Sequence, residues 1–302
     1  MRKIILICLT LALLPLAASC QDRAAASNGL EEHFDPSYSS RDYWFDGTAE
    51  LNLYEARLTY YGQPRQAQEL VHILVTEDHK PDLLVKADDW RQAGLVKMLK
   101  FNLVQRVQTG IYEYRQMMSA FFEQGPQRLA KMTYSSQEWC GHSFKEIVRY
   151  DGRESFDFNT YWDGQGNGSF QVDYPQGLIL YDTLPVQLRP LKWEVGLTAE
   201  FPMLPSQFSS RVQEPRYVSA RVTVEKKETV DSPAGTFETL RTIVESGGTE
   251  GESQRDILWF EADFPHRMIR WQRANGDTLT LSQSKKLPYW ELNQPGDRQH
   301  LD

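Results

Sequence analysis

In the last third of the chain, Val218, Ala220, Val222 and Val224 alternate with Ser219, Arg221, Thr223 and Glu225. Side chains two apart on a strand share a face, so this period marks strands with one face buried and leaves no apolar stripe for a helix. The same period holds from Tyr43 onward. Ala49, Leu51 and Leu53 alternate with Glu50, Asn52 and Tyr54 until Gly62-Gln63-Pro64, and Leu70–Thr76 is a second candidate strand. Val96–Val107 and Ile111–Phe122 form a strand pair around Gln108-Thr109-Gly110, and Met132–Tyr150 is a further β-prone stretch. Phe156, Phe158, Thr160 and Trp162 share one face, answered across residues 163–168 by Phe170, Val172 and Tyr174. Pro233-Ala234-Gly235 turns the chain into Phe237–Glu245, followed by Ile257–Phe260 and Arg267–Trp271. Asn275-Gly276 then predicts a type I′ hairpin turn before Thr278–Ser282. Two stretches break the pattern. Leu178–Leu191 allows a short helix between Asp182 and Arg189, with Pro185 in its first turn and Pro190 as its stop. Phe201–Pro215, with three prolines, reads as irregular.

Many strands on short connections, in a chain with 12% aromatic residues, predict a mainly β fold built on a large antiparallel sheet. Several candidate strands run ten residues or more. Long strands twist and coil, so the sheet is expected to curve into a half-barrel or barrel, with one or two short helices. Residues 42–295 are expected to form one β domain, and 296–302 a disordered tail. Aromatics on the concave face would enclose an apolar space, filled either by the chain's own loops or by a ligand.

The start of the chain gives it an address. Arg2 and Lys3 precede an apolar run from Ile4 to Leu16, then Ala17, Ala18, Ser19 and Cys20. A basic region, a short apolar region and small residues read as a secretory signal peptide over residues 1–19, and the run is too short to span a bilayer. Ala-Ala-Ser-Cys resembles a bacterial lipobox. The resemblance implies cleavage before Cys20, lipid acylation of that cysteine and attachment to a membrane. Gln21 after the cysteine, by similarity to Gram-negative lipoproteins, implies sorting to the outer membrane, with the body facing the periplasm or the surface. The polar residues that follow make 20–41 an anchor and flexible tether.

Loss of Arg2 and Lys3 takes the net charge from −8 to −10. That balance gives no electrostatic footprint for nucleic acid and no polybasic patch for anionic lipid, so membrane attachment falls to acyl chains. Of the three cysteines, Cys8 leaves with the signal and Cys20 is acylated. Cys140 remains alone, which excludes an intramolecular disulfide.

Further resemblance lies in Trp44–Leu51, Val75-Thr76-Glu77, Thr109–Tyr112 and above all Ser136-Gln-Glu-Trp-Cys-Gly-His142. These are similar to a group of Gram-negative lipoproteins of unassigned function, over most of residues 42–295. Some of that group carry a septum-formation-inhibitor (Maf) label. True Maf proteins are cytoplasmic nucleotide pyrophosphatases with an Arg-rich N-terminal phosphate motif, which this chain lacks, so the label is not carried over. Pro233–Phe237 and Trp259–Pro265 also resemble periplasmic families with a curved half-barrel like that of lipoprotein carriers. This implies the fold, and lipid handling only weakly.

Two sets of residues are candidates for a site. If residues 137–143 are extended, Glu138, Cys140 and His142 line one side of a strand. A thiol beside an imidazole and a carboxylate suits a nucleophilic cysteine or a zinc or copper site. Strand neighbours two apart are about 7 Å from each other, so direct contact needs a bulge, for which Gly141 is suited. The alternative is a Cys packed as a small hydrophobe with a His bonded to backbone. The second set is the aromatic faces: Phe156, Phe158, Trp162, Phe170, Tyr174, Trp259 and Trp271. They form core, or some of them line a concavity for acyl chains.

The remaining motifs are weaker. Asp163-Gly-Gln-Gly-Asn-Gly168 precedes a strand rather than a helix, so it is a hairpin turn and not a phosphate cradle, and it lacks the bidentate Glu of an EF-hand. His72 and His266 are isolated and read as structural. The paired acids Glu31-Glu32 and Asp88-Asp89 read as solvated. There is no His-Glu-x-x-His, Gly-x-Ser-x-Gly or Walker motif, and no cofactor or resident metal is expected. The leading expectation is a non-enzymatic, outer-membrane-anchored module binding a lipid or other apolar ligand. The alternatives are an assembly lipoprotein that binds another envelope protein, and a thiol or metal enzyme at Cys140 and His142.

Overall fold

The computed structural model describes residues 29–125, 127–172, 174–247 and 253–301. The signal peptide, Cys20 and residues 21–28 lie outside the described residues. The alternating stretches form sixteen strands of one curved, unclosed sheet. In chain order these are β1 (Ala49–Tyr60), β2 (Gln63–Lys80), β3 (Val85–Lys86), β4 (Val96–Thr109), β5 (Tyr112–Glu123), β6 (Leu129–Glu138), β7 (Gly141–Tyr150), β8 (Arg153–Thr160) and β9 (Asn167–Phe170). The second half comprises β10 (Ile179–Leu180), β11 (Thr198–Leu204), β12 (Val218–Ser232), β13 (Gly235–Gly247), β14 (Ser253–Glu261), β15 (Met268–Gln272) and β16 (Thr278–Leu287). Most strands pair with their neighbours in sequence; β16 pairs antiparallel with β1, so the order runs β10 to β16, then β1, β2 and β4 to β9, with the consecutive β9 and β10 at opposite edges. Short β3 pairs with β2, and among the described strands only β10 and β11 pair in parallel. The 18 residues of β2 and 15 of β12 cannot lie flat, and their coiling curves the sheet.

One face of each strand is turned inward. Tyr54, Ala56 and Leu58 on β1, Leu70 and Leu74 on β2, Phe101 and Leu103 on β4, and Met118 and Ala120 on β5 are all buried. The concavity they bound is filled by two segments of the chain itself. The first runs from Gly29 to Trp44 through three short 3-10 turns, with Leu30, Tyr38 and Trp44 buried. The second contains the expected helix: a 3-10 turn, Tyr181–Thr183, continues into α1 (Leu184–Gln187), with Pro185 in its first turn. The two segments are laced together where Asp35 N–H donates to Pro190 O at 2.6 Å and Lys192 N–H to His33 O at 2.7 Å.

Several expectations are corrected here. The flexible tether does not reach residue 41: Leu30, Phe34 and Tyr38, single apolar residues four apart in a polar stretch, are each buried. The tail is ordered up to Leu301, with a 3-10 turn at Asp297–His300 and Leu301 packed near Ala49, Leu51 and Val75 on the outer face. Thr198–Leu204 is a strand despite Pro202, because two-residue β10 covers only Met203 and Leu204 of β11, and Pro202 has no β10 partner to donate to. At Asn275-Gly276 the loop is one residue longer than a type I′ turn. Gly276 N–H donates to Arg273 O at 3.0 Å, Arg273 N–H to Asp277 O at 2.9 Å, and only the glycine takes a positive φ. That is a type I turn closed by a left-handed glycine.

Candidate functional site

The Glu138–His142 stretch is not one extended strand. β6 ends at Glu138, β7 begins at Gly141, and Trp139-Cys140 is the two-residue turn between them. Gly141 has a φ of +152°, and a Cβ there would fall 2.6 Å from Tyr161 Cγ, so glycine is required for the close approach. Cys140 sits exposed at the apex, His142 is exposed beside it, and Glu138 follows Tyr134 and Ser136 on the inward phase. The three side chains therefore do not converge. Among the described residues, no group of three His, Cys, Asp or Glu could hold a metal ion.

The aromatic set is dispersed as well. Phe156 and Trp271 are fully buried, and Phe158 stacks on Phe170 with centroids 5.2 Å apart. Tyr174 is buried with its hydroxyl donating to Ser155 O, and Trp271 donates its indole N–H to Asp256 at 3.1 Å. Trp259, next along from inward Leu258, lies on the opposite face between Arg241 and Arg270 and donates to Glu228 at 2.7 Å. Trp162 is half-buried, with Arg211 3.6 Å above its ring. These side chains do not line a shared open concavity, because the two interior segments occupy it. His72 is also structural, held between Tyr54 and Phe101 with its imidazole kept neutral by burial.

The space that remains is at one end of the sheet, where the turns at 61–62, 110–111, 139–140, 161–166 and 273–277 gather. A cavity of about 390 Å³ opens there. Tyr60, Gln105, Gln116 and Tyr114 form its sheet wall, Tyr181 comes from the second interior segment, Phe208 from the loop before β12, and Arg273 and Asp277 from the β15–β16 turn. The wall is held by its own hydrogen bonds. Tyr60 donates to Gln116 Oε1 at 2.6 Å, Gln105 Nε2 donates to Tyr60 Oη at 2.8 Å, and Gln116 Nε2 donates to Tyr134 Oη at 2.6 Å. Burial pushes the Tyr60 phenol up; for Tyr114, burial, then Tyr61 and Glu138, act the same way. Both phenols are thus neutral donors at physiological pH.

A strap, residues 205–212, crosses this mouth. Buried Asp182 accepts from Ser206 Oγ at 2.5 Å and from Gln207 N–H at 2.7 Å. Lys145 donates to Gln207 O at 2.8 Å, Ser143 donates to Ser210 O, and Gln165 pairs with the backbone of Val212. Burial pushes the Asp182 carboxyl up and the Lys145 ammonium down to about 8. On the far side of the strap a second lobe of about 530 Å³ shares Tyr181, Ser206, Ser209 and Asn275 with the first. A larger groove of about 730 Å³ lies on the outer face between Trp90 and Trp290, but its lysines Lys86, Lys100 and Lys131 are already paired, the first two with Glu77 and the third with Glu146.

None of the mouth glutamines was singled out from sequence, although a signal exists. Leu99, Phe101, Leu103, Gln105 and Val107 share one phase, and so do Gln116, Met118, Ala120 and Phe122. An amide on a buried phase marks a place where the core gives way to a polar site.

No protein-family model matches the chain, and no curated protein matches it. Three solved structures are similar in shape. A β-barrel-like protein of a domain of unknown function, DUF1849, from Brucella abortus has a TM-score of 0.45 at 10% identity, covering 79% of this chain and 97% of that one. A DUF1089 family protein from Pseudomonas aeruginosa has a TM-score of 0.36 at 14% identity, covering 70% and 94%. A protein with a YmcC-like fold from Bacteroides fragilis has a TM-score of 0.24 at 12% identity, covering 78% and 95%.

Proposed function

We propose that this chain is an outer-membrane lipoprotein, acylated at Cys20, whose half-barrel holds a ligand at its mouth without transforming it. The reading moves the ligand out of the concavity, which the chain fills itself. One observation carries it: at the mouth, Tyr60, Gln105 and Gln116 are fixed by one another around an open cavity of about 390 Å³. Binding sites are concave, pre-formed and furnished with a few oriented polar groups, and this cavity is within their usual size. The full chain made in a Gram-negative host is expected to incorporate labelled palmitate, and Cys20→Ala to abolish incorporation. Native mass spectrometry of the acylated protein is expected to reveal a co-purifying mass that Gln116→Leu removes. A ligand mass retained by that variant, or none in the wild type, overturns the reading.

A second reading, docking of another envelope protein, is favoured by the three adjacent turns that expose Tyr61 at 66%, Ile111 at 82% and Trp139 at 73%. Such tips are normally Gly, Asn or Asp. Cross-linking in cells that yields one dominant adduct at Trp139, with no mouth-dependent mass, selects it.

A further inference from the structure

Resting on the mouth as the binding site, we infer that its ligand is a saccharide. The charge of the lining is the first argument. Arg273 and Asp277 lie 4.0 Å apart in the cavity wall, and Arg273 also stacks over Trp271 at 4.2 Å. The lining carries one cation and one anion, so the cavity has no net charge to select a phosphate, a carboxylate or an amine. An acyl chain fares no better, because Tyr60, Gln105, Gln116 and the serines of the strap put hydroxyls and amides where it would need methylenes.

Neutral amides beside aromatic rings suit a ligand with hydroxyls on its edge and C–H groups on its face. Beyond the bonds within the wall, Gln105 keeps its Oε1 acceptor and Gln116 one N–H, an acceptor and a donor for vicinal hydroxyls. Ring faces cover the apolar side of a sugar, with their hydroxyl tips left wet. Here the rings form a continuous path out of the cavity. Tyr60 lies 5.0 Å from Tyr114, Tyr114 5.9 Å from Tyr112, and Tyr112 6.3 Å from Trp139, with Tyr61 bonded to both Tyr112 and Tyr114 through hydroxyls 2.6 Å apart. The path crosses from the β1–β2 turn to the β6–β7 turn, about 19 Å at the usual strand spacing. That length serves a chain of several rings rather than a single one, with the terminal ring in the cavity and the next ones on the exposed tips.

The test uses the full acylated protein in detergent, titrated by calorimetry with β-1,4-linked N-acetylglucosamine oligomers, maltooligosaccharides and, for comparison, a fatty acid. At least one oligosaccharide series is expected to bind, with Gln116→Leu weakening it tenfold or more. Trp139→Ala, on an exposed tip outside the cavity lining, is expected to weaken the longer oligomers tenfold and leave the shortest unchanged. Equal loss for all lengths overturns the path. Binding of the fatty acid at the mouth, or a mouth-dependent co-purifying mass that is not carbohydrate, overturns the saccharide while leaving the site in place. Absence of any mouth-dependent mass overturns the site itself.

Discussion

Arg189 and Glu50 form an ion pair at 2.7 Å with side chains 1% and 0% exposed, joining the second interior segment to β1. Glu50 also accepts from Tyr43 and Asn52. Burial alone would raise the Glu50 carboxyl; the Arg189 guanidinium and these donors together hold it below its ordinary value. Arg189→Met leaves that carboxylate buried without its counter-charge and is expected to cost about 3–5 kcal/mol in urea unfolding, most of it recovered by adding Glu50→Leu. The pH dependence has a definite sign. With its pKa depressed in the folded state, Glu50 stabilises the wild type above its unfolded value and loses that contribution as pH falls through the folded one. In Arg189→Met the same acidification should instead relieve the strain, so the gap between the two proteins narrows.

Lys145 gives the same sign from a different cause, burial of a cation. Its folded pKa of about 8 lies below the ordinary 10.5, so between those values the unfolded chain binds more protons and stability rises with pH. Lys145→Met is expected to flatten that rise, read by thermal melts between pH 7 and 10.5.

At the scale of elements, strands were legible because each carries a buried face every second residue, and the short helix because Pro185 and Pro190 bracket it. The interior segment Gly29–Trp44 was not, since Leu30, Phe34 and Tyr38 are single apolar residues in a polar stretch and are buried by what surrounds them. The candidate site suffered from a related ambiguity. Glu138, Cys140 and His142 alternate in sequence, but alternation does not distinguish a continuous strand from two strands meeting at a two-residue turn. The conformation of Gly141 decides between them, and it does so through contact with Tyr161, twenty residues on. Gly141→Ala is expected to destabilise by about 1–3 kcal/mol, because the added methyl meets the Tyr161 ring root and not a flexible side-chain end. A chemical-denaturation midpoint equal to wild type would contradict that assignment.

For the molecule as a whole, a body that includes Gly29 limits the distance over which the proposed acyl anchor would act. Eight residues separate Cys20 from Gly29, so the body lies within about 30 Å of an acylated Cys20 whatever path they take. The pairing of β16 with β1 has a consequence of its own. The last strand to be synthesised is the mate of the first, and the inward faces of both halves close over the same interior segments. A polypeptide still emerging from the ribosome lacks the strand that joins the two halves of the sheet until Leu287 is free. It cannot lock prematurely into its final form, which is the condition that any chain threaded unfolded through a translocation pore has to meet.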